Sequence, residues 1–302
     1  MLPAEVSQED RRPAQNGPRG FGRIVVKLGT NVVIRHDGRL ALGLLCGLVE
    51  SIAALQQRGH EVLVVSSGAV GLGMERLGWT ERPQELAGIQ ACAAIGQSRL
   101  MAIYEDAFDR LGCRVAQVLL TEDDFRSPER YANLRRTLKA LLGLGVIPVV
   151  NENDTVATQE LGGTADGGER PARIFGDNDK LSALLSTHID AELLILLSDV
   201  DGLYDQHPSQ PGARLVAEVA EISPAILAHA QGGNGRGRGG MSSKLEAARM
   251  ATEAGLTAVI ANGRRPQVLE EILEALSGEA TGGVGTVFLP AETAGARGGR
   301  NA

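Results

Sequence analysis

The chain is poor in lysine, aromatic residues, cysteine and net positive charge, and each shortage narrows what it does. Phe, Tyr and Trp together make up 3% of its 302 residues, too few for the stacking platforms that hold single-stranded nucleic acid. The formal charge of −7 and a pI near 5.4 lack the basic face of a general nucleic-acid binder, although a local cationic pocket is compatible with both. Cys46, Cys92 and Cys113 are odd in number and far apart, with no CxxC or Cys/His spacing. That pattern argues against a disulfide framework or a zinc site and reads as buried thiols in a reducing cytoplasm. The histidines, His36, His60, His188, His207 and His229, include no HExxH pair and read as surface or loop residues. Long apolar runs are missing too, since Glu50 interrupts the longest, Leu40 to Leu55, so no membrane span is expected. Residues 1–20 are polar and proline-bearing, without the apolar centre of a secretory signal, and read as a disordered extension.

What the chain does have is core: 43% hydrophobic residues suffice for one large α/β domain or two modest ones. Short β-branched runs at Ile24 to Lys27, Val62 to Val65, Val115 to Leu120, Val146 to Val150, Leu193 to Leu197 and Thr257 to Ile260 read as strands buried on both faces. Between them Leu40 to Arg58, Glu85 to Leu111, Arg130 to Leu142 and Ser243 to Ala254 carry helical patterns. The expected fold class is α/β, a three-layer α/β/α sandwich around a mostly parallel sheet. In such sheets ligands collect beyond the carboxyl ends of the strands.

Those ends are small and polar here. Ser66-Ser67-Gly68-Ala69 follows the second strand, Asn151-Glu152-Asn153-Asp154 the fourth and Ser198-Asp199 the fifth. Any one of these would serve as a plain turn; together on a parallel sheet they favour a ligand cleft. Only Lys27, Lys139, Lys180 and Lys244 are lysines among 30 Lys and Arg residues, and Lys27 and Lys244 each lie beside glycine-rich backbone. An ammonium is a compact charge able to follow a migrating phosphoryl group, whereas guanidinium is a fixed planar fork. The run Gln231 to Gly240 is nearly all Gly, Asn and Arg and passes straight into a helix at Met241-Ser242-Ser243-Lys244, where exposed N–H groups suit phosphate oxygens. Gly176-Asp177-Asn178-Asp179-Lys180 precedes the helical pattern Leu181 to Thr187 and reads either as an acidic first turn or as part of the site. Gln159 to Arg173 reads as a long mobile loop. Neither a Walker loop nor a dinucleotide fingerprint is present.

Taken in order, Val-Val-Lys-Leu-Gly-Thr ending at Thr30, Ser-Ser-Gly-Ala at 66–69, Ala-Ile-Gly-Gln-Ser-Arg-Leu at 94–100, Asn-Glu-Asn-Asp at 151–154, Gly-Asp-Asn-Asp at 176–179, Ser-Asp-Val-Asp-Gly-Leu-Tyr at 198–204 and Gly-Gly-Met-Ser-Ser-Lys at 239–244 resemble the glutamate 5-kinases of the amino-acid kinase superfamily. The resemblance runs from Phe21 to Leu289. It implies ATP-dependent phosphorylation of the γ-carboxylate of L-glutamate, the opening step of proline biosynthesis, with Mg²⁺ accompanying ATP and proline as a feedback inhibitor. It implies catalytic roles for Lys27, Lys244 and Asp179, the last orienting both ammonium groups. Ser67, Asp154 and Asn178 match positions that hold glutamate. Lys27, Ser198, Asp199, Arg238, Gly239, Gly240, Met241, Ser242, Ser243 and Lys244 match the nucleotide site. Oligomer formation and a glutamyl phosphate reductase as partner follow from the same kinship.

The implied layout is one kinase domain over residues 21–290, its N-terminal part for glutamate and its C-terminal part for ATP, with a flexible tail at 291–302 and no counterpart of the PUA domain that many members carry. Two departures stand out. Arg238 replaces the usual Thr of Gly-Thr-Gly-Gly-Met and either adds a phosphate contact or points into solvent. The loop between Thr158 and Phe175 is longer than usual by roughly a dozen residues, which surface loops tolerate at small entropic cost. An acetylglutamate kinase would need a pocket for an N-acetyl group, against which Asp154 and Asn178 argue; a catalytically dead sensing subunit would be expected to have lost a lysine.

Overall fold

The structure is a computed structural model that describes residues 20–121, 123–156, 178–224, 226–227, 240–279 and 284–291. Arg238, Gly239, the loop 159–173, and the extension and tail except for Gly20 and Ala291 lie outside the described residues.

Among the described residues eight strands form one sheet: β1 (Arg23–Leu28), β2 (Glu61–Ser66), β3 (Arg114–Leu120), β4 (Val146–Glu152), β5 (Leu193–Ser198), β6 (Glu218–Val219), β7 (Thr257–Asn262) and β8 (Thr286–Phe288). The order is β3-β4-β2-β1-β5-β7-β8-β6, parallel throughout except for the antiparallel pair β7/β8. Central strands are apolar on both faces because both are covered; all six residues of β5, Leu-Leu-Ile-Leu-Leu-Ser, are buried. The helices are α1 (Thr30–Val33), α2 (Leu42–Gln57), α3 (Ala69–Leu77), α4 (Leu86–Asp109), α5 (Asp123–Arg126), α6 (Pro128–Gly143), α7 (Asn178–His188), α8 (Met241–Glu253) and α9 (Val268–Ser277).

Strand alternation sorts the core into two layers. Ile24, Val26 and Leu28 of β1 pack with residues of α2, α4 and α9, such as Leu48, Leu100 and Leu269. Val25 packs on the opposite face with Leu138 of α6, Leu185 of α7 and Ala248 of α8. This is the α/β/α sandwich expected from the pattern. The same alternation puts Lys27 on the α7/α8 side with Val25, and that decides which groups it meets.

Every strand read from sequence is present, each within two residues of its expected ends, and α7 already includes Asn178, three residues before its apolar pattern. The unforeseen elements are α1, α3, α5, α9 and the short strands β6 and β8. The glycines of α3 lower helix propensity, yet they serve its packing. A Cβ on Gly73 would collide with the Cys92 carbonyl of α4, and one on Gly96 with the Ala69 carbonyl of α3. Two expectations need correcting. Cys46 is only partly buried, unlike Cys92 and Cys113. His188 is no loop residue: it ends α7, accepts or donates a hydrogen bond with Tyr131 Oη at 2.8 Å and meets that ring edge-on.

Candidate active site

The carboxyl ends of β4, β2, β1 and β5 lie side by side in the sheet, and backbone contacts join the turns that follow them. Gly29 N donates to Leu197 O at 3.0 Å and Gly263 N to Ser198 O at 2.8 Å; a side chain at Gly29 would press against Leu197 O at 3.0 Å. Lys27 is the penultimate residue of β1, directed toward α7 and α8. Asp179 occupies the first turn of α7, and Lys244 the first turn of α8.

These three meet. Lys27 Nζ lies 2.5 Å from Asp179 Oδ1, and Lys244 Nζ lies 3.2 Å from Asp179 Oδ2. The side chains are 4%, 6% and 0% exposed for Lys27, Lys244 and Asp179. Burial alone would push the Asp179 carboxyl up, but the two ammonium groups hold it below the ordinary carboxylate value. Burying charge is costly unless it is paired, and here two cations share one anion. Two ammonium groups thus stand beside one carboxylate at the strand ends, a setting that attracts a polyanion.

Beside the triad a chain of amides joins four elements. Asn178, next to Asp179, turns Nδ2 toward Ser66 O at 2.8 Å, Ser67 Oγ at 2.9 Å and Asn151 Oδ1 at 2.9 Å. Two hydrogens face three acceptors, so the group is held on every side. Asn151 Oδ1 also accepts from Glu152 N at 2.9 Å, and Asn151 Nδ2 donates to Gln97 Oε1 at 2.8 Å. From α4, Tyr104 reaches Ser66 Oγ at 2.8 Å. Gly68, with φ +104°, turns the chain from β2 into α3 where a Cβ would be strained and would strike Val33. Asp154 stands on the turn after β4; burial pushes its carboxyl above the usual value and Arg82 offsets part of this.

On the other side of β1, Ser198 ends β5 and Asp199 follows it. Asp199 Oδ2 accepts from Asn31 Nδ2 at 3.0 Å and lies 3.9 Å from Arg264. Gly240 caps α8 in an extended conformation and, being glycine, offers no side chain of its own to the N–H groups of the first turn, which suits an anion. Lys27, Lys244 and Asp179 thus share one cluster, and Ser67 and Asn178 one network. Sequence reading gave no role to Gln97, Asn151, Tyr104, Asn31 or Arg264. A signal existed for α4: Gln97 and Tyr104 are seven residues apart, hence on one helical face.

Comparison with known proteins settles the lineage. Residues 22–262 match the amino acid kinase family. A glutamate 5-kinase of Gloeobacter violaceus is 49% identical over 261 residues, 86% of this chain and 67% of that protein. The chain belongs to the amino acid kinase family, among its glutamate 5-kinases. Another glutamate 5-kinase, from Chromohalobacter salexigens, is 44% identical over 93% of this chain and 70% of its own length. Likeness of fold reaches further. A T. acidophilum isopentenyl phosphate kinase superposes with TM-score 0.57 at 15% identity, covering 88% of this chain and 99% of that one. A UMP kinase from Bacillus anthracis gives 0.57 at 16% identity over 90% and 97%. No helix among the described residues is long and apolar enough to cross a membrane.

Proposed function

We propose that the chain transfers the γ-phosphoryl group of Mg-ATP to the γ-carboxylate of L-glutamate, giving the acyl phosphate that opens proline biosynthesis. The observation that carries this reading is the buried Lys27–Asp179–Lys244 triad at the strand ends, in a chain whose relatives are glutamate 5-kinases.

The chemistry fits the residues. A glutamate side chain, with a reference pKa of about 4.3, is already an ionised nucleophile at neutral pH, so no general base is required. The obstacle is repulsion between that carboxylate and the γ-phosphate, which calls for fixed positive charge and in-line positioning. A carboxylate oxygen bonds to the γ-phosphorus as the bond to the bridging oxygen breaks, and the electron pair leaves on ADP. Lys27 contacts the transferring phosphoryl group, Lys244 takes up charge developing on ADP, and Asp179 positions both without moving a proton. Both oxygens of Asp179 already pair with ammonium groups, so magnesium belongs to the phosphate oxygens of the nucleotide and enters with it as substrate.

For the amino acid, the hydrogen bonds of Asn178 from Nδ2 leave Oδ1 as its acceptor side. With the desolvated carboxylate of Asp154, that suits an α-ammonium, which an N-acetyl group would not replace. Ser67 serves a carboxylate oxygen. Ser198, Asp199 and the first turn of α8 border the nucleotide, together with Arg238 and Gly239 of the preceding segment. Proline as inhibitor of the glutamate side, a cytoplasmic setting, assembly with further copies of the chain, and delivery to a reductase complete the reading on kinship alone.

The test is direct. Purified chain is incubated with Mg-ATP, hydroxylamine and either glutamate or N-acetylglutamate, and ADP and hydroxamate are measured. Product with glutamate alone is the expected result; product with acetylglutamate, or none with either, overturns the proposal.

A further inference from the structure

The amide chain has a direction, and it ends on a side chain to which the phosphoryl-transfer reading gives no work. The backbone N–H of Glu152 can only donate, and it lies 2.9 Å from Asn151 Oδ1. That pins the oxygen of the Asn151 amide inward, a choice reinforced by Asn178 Nδ2 on the same oxygen at 2.9 Å. Asn178 is pinned in turn by the carbonyl of Ser66, which can only accept. Asn151 Nδ2 must therefore face outward, toward Gln97 at 2.8 Å, and Gln97 must offer it Oε1. Two backbone groups thus fix the orientation of three amides in series.

The consequence falls on Gln97 Nε2, turned away from the network with its hydrogens. Among the described residues it has no hydrogen-bond acceptor, and the side chain is partly exposed rather than sealed in the core. Its place is fixed from the other side as well. Gly96 lets α4 press against the Ala69 carbonyl, which sets Gln97 beside the Ser67-Gly68-Ala69 turn, and Tyr104 two turns on ties the same helix to Ser66. Asn151 and Asn178 stand between Gln97 and Asp179, so Gln97 serves the end of the substrate remote from the lysines.

We propose that Gln97 is a specificity-determining contact for the α-carboxylate of the amino-acid substrate, with Nε2 donating to one of its oxygens. This rests on the glutamate reading given above. A purely structural role would be satisfied by Oε1 alone, and that difference makes the proposal testable.

Gln97→Glu keeps an oxygen toward Asn151 Nδ2, removes the outward donor and sets a negative charge against the carboxylate. In the hydroxamate assay KM for L-glutamate should rise roughly tenfold or more, the loss typical of a hydrogen bond to a charged partner. KM for ATP and the melting temperature should stay at wild-type values. The α-amide of glutamate, followed as substrate or competitive inhibitor, should lose far less affinity, because it carries no charge at that end. Gln97→Asn, which withdraws the amide by one methylene, supplies a second variant with the same expected rise for glutamate. An unchanged KM for glutamate, a parallel rise for ATP, or an equal loss for the α-amide would overturn the assignment. A wild-type chain that makes no glutamate-dependent hydroxamate would sink the glutamate reading and this assignment with it; a working wild type with unaltered variants sinks the assignment alone.

Discussion

Replacing Asp179 by Asn isolates what the central carboxylate does, because shape is kept and only charge and one acceptor are lost. In the wild type each oxygen answers one ammonium, Oδ1 to Lys27 and Oδ2 to Lys244. An asparagine keeps one oxygen, and its NH₂ then faces the other ammonium as donor against donor. The two ammonium groups lose the negative charge between them, and solvent screens them little, since the carboxylate is fully buried and both lysines nearly so. Removing one partner from a buried ion pair costs about 3–5 kcal/mol. For a domain of this size that lowers the melting temperature by roughly 6–10 °C. Catalysis should suffer more than stability: a lysine that has lost its anchor no longer meets the phosphoryl group in place, and turnover should fall by about 10²-fold or more. Thermal unfolding followed by circular dichroism gives the first quantity and hydroxamate formation the second. Asp179→Asn with the turnover and melting point of the wild type would mean that the carboxylate anchors neither lysine.

Three further outcomes follow from other parts of the fold. Lys244→Ala should cut turnover by about 10²–10³-fold while the far-ultraviolet spectrum stays native, and a wild-type rate would remove Lys244 from the mechanism. Gly96→Ala, despite better helix propensity, forces a methyl group onto the Ala69 carbonyl and to 2.6 Å from Gly73 N; urea denaturation should show a loss of about 1–3 kcal/mol, and an unchanged midpoint would mean that α3 and α4 separate freely. Burial, and then the nearby Arg135, hold His188 below its ordinary pKa. The fold thus favours the neutral ring, so its contribution is complete above about pH 6.5 and is lost as pH falls toward the lowered value. The melting temperature of His188→Gln should lack that part of the acid-side decline, and identical pH profiles for mutant and wild type would contradict the assignment.

Much of this was legible in the residues because both faces of each central strand are buried. Runs such as Leu193 to Leu197 have no polar alternation to confuse them, and the groups that follow each run fell where a parallel sheet exposes its ligand edge. Lys27 and Lys244 were marked by their glycine neighbours and by the scarcity of lysine. The first turn of α7 was harder. Its apolar period begins at Leu181, whereas the described helix includes Asn178 and Asp179; the acidic-first-turn reading covers both, but only their contacts to Lys27, Lys244, Ser66 and Asn151 show that the same residues face the other strand-end groups. Helix α3 hid for a related reason, since Gly71 and Gly73 weaken the local signal and earn their place through contact with Ile34 and α4. Strands β6 and β8, of two and three residues, have no pattern long enough to read. The amide network left the faintest trace, for hydrogen-bond direction is a property of neighbours in space.

The three charges at the strand ends come from the beginning, the middle and near the end of the described chain, from Lys27, Asp179 and Lys244. During synthesis, then, the ribosome releases first one ammonium group and then the carboxylate that pairs with it, and the second ammonium group arrives only with α8. Under the proposed function, a chain that stops short of α8 lacks one of the two ammonium groups, so nucleotide binding by this mode would double as a report that synthesis and folding have brought α8 onto the sheet.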